Sequence, residues 1–412
     1  MSDAARRSSK NVKPTRDAKA APEATADAAR VASDAGVTEA RPAVYPRPPG
    51  QAREPGSTGS FEEEPSKRKA RRPIVVLSAM TVLLLVGVLV SAAVGQLPVA
   101  ITEVIGAFGQ GIGIDNSWSP QDDVIYQALW QIRFPRVAIS LLVGAALAVA
   151  GAVMQAIFGN PLAEPGVVGV SSGAAFGAGI AIVSGGALAG VLGTAALAFI
   201  GGVGATLLVY FMARSNGRTE VVTLLLTGIA VNAFAGAGLA FLLFAGDASS
   251  REQIVFWQLG SLGGSRWNEV AVVAGLSVVA IAGALMLARR YDLLSLGERT
   301  AGHLGVRVER LRIISIVLVA VLTGAAVAFA GIIAFVGLVV PHAIRMMLGP
   351  AHRMLIVASI IGGGLLLVWA DLFARTAVTG AELPIGLLTS LIGGPFFFYL
   401  LRRARSRQGG WA

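Results

Sequence analysis

Few residues in this 412-residue chain could carry chemistry. Arg133 and Arg136 fall three apart in the stretch RFPR, at the start of a long apolar run, and Arg375 closes another. A guanidinium presents a planar fork of N–H donors and suits two-point pairing with a carboxylate better than an ammonium does. The plainer alternative for Arg133 and Arg136 is an anchor that snorkels to lipid phosphate. Asp371 is the most interior acid by sequence, and an intramembrane carboxylate is a candidate ion site. Arg375 follows it by four residues, one helical turn, and an intrahelical Asp371–Arg375 pair is the preferred reading. His303, His342 and His352 are too scattered for a metal cluster and read as solvated or interfacial. The chain has no cysteine, which excludes disulfides and thiolate metal sites. No phosphate-cradling glycine loop, GxSxG or HExxH motif occurs, so neither catalysis nor a resident cofactor or metal is expected.

The elements that hold these residues follow from composition. Hydrophobic residues make up 54% of the chain and glycines number 51, the profile of a polytopic membrane protein. Apolar runs able to cross about 30 Å of hydrocarbon recur between short polar breaks. They place ten spans near 74–95, 137–158, 166–184, 190–212, 221–245, 269–289, 313–331, 333–348, 354–376 and 384–401. Residues 1–66 hold ten basic and ten acidic side chains and almost no large apolar ones. This tail cannot bury enough surface to offset its ordering entropy and is expected to be disordered. No early apolar core suggests a cleaved leader. Residues 67–412 form the membrane domain and carry the whole net charge of +10.

Charge asymmetry then orients the spans. With the first polar flank inside, nineteen Lys/Arg lie on the inner side and five on the outer, where no lysine occurs. The positive-inside rule selects this orientation, with both termini cytoplasmic. Trp118, Tyr126, Trp130, Trp257 and Trp267 gather on the outer side as an interfacial belt. The basic balance therefore reflects topology, and no nucleic-acid partner is expected. GAALAVAG at Gly144–Gly151 and GAAVAFAG at Gly324–Gly331 agree at six of eight positions. They lie on spans of opposite direction, as an inverted repeat of the second to fifth and seventh to tenth spans requires. The fold class is thus an all-α polytopic membrane protein of about ten transmembrane helices with an internal inverted repeat. The runs Gly201–Gly204 and Gly236–Gly238 read as close helix packing, without a ligand role.

The longest inner loop, 294–312, reads LSLGERTAGHLGVRVERLR. Glycines bracket Glu298–Leu304, a segment of about two helical turns. Its charges keep it at the aqueous face while Leu294, Leu296 and Leu304 stand available to a partner's groove. LSLGERTAGHLGV, with RFPR, GNPLAEPGVVGVSSG, FVGLVVPH and AELPIGLLTSLIGGPFFFYLL, closely resembles the permease subunits of type II ATP-binding cassette importers for iron-siderophore, haem and cobalamin. The likeness covers nearly all of residues 74–403.

The resemblance implies a homodimer of ten-helix permeases in the cell membrane, in contact with lipid. Two separate subunits bind and hydrolyse ATP, and an extracytoplasmic binding protein delivers substrate. It places ATPase coupling at Gly297, Glu298, Arg299, Thr300, Ala301, Gly302, His303, Leu304, Gly305 and Val306, with Gly305 expected to end the helix in a left-handed conformation. It places a cytoplasmic gate at Asn160, Pro161 and Leu162, with Thr219 as a second gate element by position, and binding-protein docking at Arg133, Arg136 and Arg375. Pro161 and Pro165 independently favour an interrupted helix end here. Haem is the leading substrate, ferric siderophore the next and cobalamin the third. The competing reading is an ion-coupled secondary transporter using Asp371.

Overall fold

The computed structural model describes residues 67–114, 116–185, 193–215, 218–378 and 380–407; the 1–66 tail, read above as disordered, lies outside them. Ten helices match the expected spans: α1 Lys67–Ala93, α4 Phe134–Phe158, α5 Val170–Val183, α6 Gly193–Met212, α7 Val221–Ala245, α9 Trp267–Leu294, α11 Val308–Ala330, α12 Val336–Leu348, α13 His352–Thr376 and α14 Ile385–Arg407. Among the described residues seven helices are long and apolar enough to cross a membrane, and α5, α12 and the Ile385–Leu400 part of α14 are shorter apolar helices. The chain is an all-α polytopic membrane protein, α7 agreeing with its expected span at both ends. The spans alternate in direction. Here the proximal end is the one where α1 starts and α14 finishes, and the distal end is the opposite one.

Four helices are too short to span, and three of them, α2, α3 and α8, were not anticipated. α2 (Ile101–Gly111), α3 (Asp123–Ala128) and α8 (Ala248–Leu259) lie in distal connections, and α10 (Glu298–His303) in the long proximal loop is shorter than its expected segment. α3 runs through a π-turn at Leu129–Arg133 straight into α4. Trp130 fixes this corner: its indole N–H donates to the Ala107 carbonyl at 3.0 Å, and its ring packs beside Phe108, Phe134 and Trp267. Strands β1 (Arg214–Ser215) and β2 (Arg218–Thr219) form a small antiparallel hairpin before α7.

α4 is the axis of the bundle, and every residue from Val143 to Ile157 is buried. It packs on α13 and α12, while its repeat partner α11 packs on α6 and α5. Each repeat helix thus leans on the other half's third and second helices, the exchange expected of an inverted repeat. The matching glycines differ at one end. Gly151 stays helical with its Cα hydrogens against the Gly337 carbonyl, whereas Gly331 leaves α11 at φ +70°.

Lipid supplies no hydrophobic force between helices, so close approach depends on small residues. A Cβ on Gly144 would lie 2.2 Å from the Gly363 carbonyl oxygen, and one on Gly363 would lie 2.1 Å from that of Gly144. Gly173 of α5 and Gly201 of α6 make the same reciprocal contact at 2.4 and 2.3 Å. The packing reading therefore holds for Gly201, and also for Gly202 against Val170 and Gly238 against Phe176; Gly204 and Gly236 meet nothing within 4 Å.

Gly144→Leu should force α4 from α13 and destabilise the chain by at least the ~1–3 kcal/mol typical of overpacking. Gly204→Ala, with open space around its new methyl, should match the parent. Thermal unfolding in detergent compares them, and an undiminished midpoint for Gly144→Leu would refute the contact.

Candidate functional sites at the two ends of the bundle

At the distal end the three arginines of interest converge, and each guanidinium is engaged within the chain. The last carbonyls of α1 have no partner inside their helix and carry the negative end of its dipole. Arg133 meets them: one terminal nitrogen donates to Ala92 and Ala93 at 2.7 and 2.8 Å, the other to Leu97. Arg375 donates to the Ser91 carbonyl, to the Ser91 hydroxyl at 2.9 Å and to the Val94 carbonyl at 2.5 Å. Arg133 is 8% exposed, which such a site tolerates because carbonyl oxygens replace the lost water. The Gly95 backbone packs beside both guanidinium groups.

Arg136 takes the acids. Its Nε lies 3.0 and 3.1 Å from the two carboxylate oxygens of Asp371, and its terminal nitrogens grip both oxygens of Glu382 at 2.9 and 3.0 Å. The local Asp371–Arg375 pair is present at 3.6 Å, but the nearer partner of Asp371 is Arg136. The reason is the glycine contact between α4 and α13, which carries Arg136 to within reach of an acid 235 residues away. Hydrogen bonding from Arg136 is the largest influence on Glu382 and holds its carboxyl below the ordinary value of 4.5. This clasp is fully formed above the unfolded-state value and is lost as pH falls through the lower folded one. The three arginines and Glu382 line an open cavity of about 530 Å³ with Gln96, Ile132 and Thr376.

At the proximal end α10 packs on α9 and α11 and presents its other face outward. Gly297 precedes it at φ +102°, and Leu304 caps it. Gly305, at φ +84°, donates to the Gly302 carbonyl and Val306 to that of Ala301, both at 3.0 Å. This is a Schellman ending, the left-handed termination expected of Gly305. Ala301 and Val306 are buried beneath the turn. Glu298, Arg299, Thr300, Gly302, His303 and Leu304 remain exposed. Leu296 and Leu304 are free for a partner; Leu294, expected to join them, is buried in the core.

Asn160, Pro161 and Leu162 follow α4, whose cap Gly159 has φ +59°. The Asn160 side chain accepts the Leu162 N–H at 2.9 Å and so shapes the turn. Glu164, which sequence reasoning passed over, reaches the second half of the chain, where its carboxylate accepts the Phe335 N–H at 3.1 Å. Phe335 is the one non-glycine residue with positive φ among those described, at +67°, and it opens α12. Thr219 ends β2 and is buried at 4% exposure, bonded to Glu309 and Arg312. Neither acid–base partner was anticipated; charged side chains in the first turn of a span were the available signal.

Of the histidines, His303 is exposed as expected. His352 is instead buried, its ring Nδ1 2.8 Å from Asp292, which also accepts its backbone N–H. The α9–α13 packing that closes over it is nonlocal and leaves no trace in spacing. Among the described residues no group of His, Asp or Glu could hold a metal ion.

Comparison with known proteins agrees with this architecture. Residues 83–403 match the FecCD transport family. The chain is 39% identical over 343 residues to the hemin transport system permease protein of Yersinia pestis, covering 82% of this chain and 98% of that one. It is 46% identical over 271 residues to a cobalamin import system permease protein of Halobacterium salinarum, covering 66% and 72%. A solved structure described as an inward-facing metal-chelate-type ABC transporter superposes with a TM-score of 0.70 at 32% identity, covering 80% of this chain and 99% of that one. The chain therefore belongs to the FecCD transport family, as the permease subunit of a type II ATP-binding cassette importer.

Proposed function

We propose that this permease carries an iron chelate inward across a cell membrane, haem before ferric siderophore and cobalamin, while separate ATPase subunits supply the energy. The observation that carries the reading is α10, a short helix with a glycine at each end and an exposed face, seated on the bundle core through Ala301 and Val306. It suits insertion into a partner's groove. Haem leads because the hemin permease of Yersinia pestis aligns over 98% of its length at 39% identity, against 36% for a vitamin B12 import permease of Klebsiella pneumoniae aligned over 96% of its own.

The proximal end, which bears α10 and most of the positive charge, faces the cytoplasm on this reading, as the positive-inside rule requires. Asn160, Pro161, Leu162 and Thr219 there form the gate. A second copy of the chain completes the unit. Support comes from α7, whose Phe234, Phe241 and Phe244 are exposed beside the small residues Gly236 and Ala237, a surface able to pack closely against another helix in lipid. An ion-coupled mechanism finds no support in Asp371, since two arginines occupy its carboxylate.

The binding protein docks at the distal end, on the Arg133, Arg136 and Arg375 cluster. Arg133 and Arg375 are committed to the end of α1, so Arg136 is the group a visiting carboxylate reaches, in competition with the half-exposed Glu382. Replacing all three arginines by glutamate would remove the cap of α1 as well as the docking contact, so the sharper variant is Glu382→Gln. It should free Arg136 and tighten binding-protein affinity several-fold at low salt, as measured by surface binding to nanodisc-held permease. Unchanged or weaker binding would refute the role of Arg136.

In proteoliposomes holding permease and ATPase, with binding protein outside, hemin should accumulate only with internal ATP. Ferric hydroxamate and cobalamin, supplied with the same binding protein, should lag. Accumulation without nucleotide would overturn the mechanism, and faster cobalamin uptake would overturn the substrate order. In the same system Gly305→Val should strain the Schellman turn and lower substrate moved per ATP, since a β-branched residue fits poorly at φ +84°. Normal stoichiometry in that variant would show that the helix end plays no part in coupling.

A further inference from the structure

α10 and Thr219 belong to different loops, yet the first turn of α11 joins them through a continuous polar chain. Glu309 accepts from the Tyr210 hydroxyl at 3.0 Å, from the Thr219 hydroxyl at 2.6 Å and from the Thr219 N–H at 3.1 Å. One turn on, Arg312 donates to the Thr219 carbonyl at 2.9 Å and to Glu298 of α10 at 2.6 Å. Every polar group of Thr219 is thus held by α11. Arg312 is 5% exposed, and the salt bridge that leaves α10 among the described residues is the one from Glu298 to this arginine.

The chemistry makes this joint stiff. An arginine presents a planar fork and can hold a carbonyl and a carboxylate in one fixed geometry, which an ammonium on a flexible stem cannot. Burial of the guanidinium removes water from its own side, so loss of its partners would leave a buried charge unpaired at high cost, even though the Glu298 carboxylate it holds is exposed. Thr219 lies two residues before α7 begins. A displacement of α10 that keeps its bond to Arg312 must therefore carry either the Thr219 backbone, and with it the start of α7, or the whole first turn of α11.

We propose that Arg312 and Glu309 are positioning residues that transmit movement of α10 to the Thr219 end of α7. The inference rests on the reading of α10 as the ATPase-docking helix. Arg312 and Glu309 touch neither substrate nor partner; they act through Thr219 and Glu298.

The test has two arms. The chain lacks cysteine, so Arg299→Cys with Val222→Cys, both at exposed positions, gives two spin-label sites on α10 and early α7. In the parent, without ATPase, their distance distribution should be narrow. Arg312→Gln should broaden it at least twofold, Arg312→Lys should do so partially, and an unchanged distribution in Arg312→Gln overturns the proposal. This arm does not depend on the transport reading.

The second arm uses the full complex in proteoliposomes and reads hemin moved per ATP hydrolysed. Arg312→Gln and Glu309→Gln should still bind the ATPase but lower the ratio about tenfold. Glu298→Gln should lower it less, and adding it to Arg312→Gln should cost nothing more, because coupled residues are not additive. Full additivity, or a parental ratio in Arg312→Gln, overturns the proposal. Should Arg312→Gln fail to fold, as judged by monodispersity, the exposed Glu298→Gln decides: parental values in both arms overturn the link. A parent complex that moves hemin without nucleotide would instead defeat the functional reading and leave the first arm to judge the joint alone.

Discussion

The backbone contact between Gly144 and Gly363 is the constraint on which most of the molecule depends. Two helices whose carbonyls nearly touch their neighbour's Cα atoms leave no room for adjustment. In lipid, where apolar burial between helices gains nothing over contact with acyl chains, such van der Waals fit is a principal source of helix association. Once α4 and α13 are held at this separation, the register of the charged groups at their distal ends is set. Arg136 then falls on Asp371, and Arg375 remains beside it. The buried acid is compensated by geometry that a methyl group on either glycine would abolish.

That arrangement answers a second demand. A helix that ends near the hydrocarbon leaves carbonyls that water cannot reach freely, and each costs several kcal/mol if left unsatisfied. Arg133 and Arg375 supply donors to the last turn of α1 and place positive charge where its dipole is negative. Arginines that could be mistaken for surface anchors are therefore part of the distal frame. Arg136 stands behind the partly exposed Glu382 at the mouth of that frame.

The sequence made the spans legible because a run of about twenty apolar residues has few alternatives to a membrane helix. It made the Schellman stop at Gly305 legible because a glycine following a short polar helix has a specific conformational use. The distal helices α2 and α8 escaped notice because eleven or twelve residues fall below spanning length. The partners of Asp371 were half legible: periodicity revealed Arg375 one turn away, whereas Arg136 is brought in only by tertiary packing. His352 was misjudged for the same reason, since nothing in its neighbourhood reveals that Asp292 closes over it. Residue type and motif thus singled out the candidate residues, and the contacts that join them were not legible.

The inverted repeat clarifies why buried arginines occur at both ends. Aligning Gly144 with Gly324 sets Arg312 opposite position 132, next to Arg133. Each repeat helix therefore enters the bundle with a guanidinium near its start, and each guanidinium turns onto main-chain carbonyls of a neighbouring segment: Ala92, Ala93 and Leu97 at one end, Thr219 at the other. The two halves differ in what else the arginine holds. Arg133 has carbonyls alone and closes the end of α1. Arg312 adds an exposed acid on α10, so the same structural device that closes one end of the bundle joins two separate loops at the other.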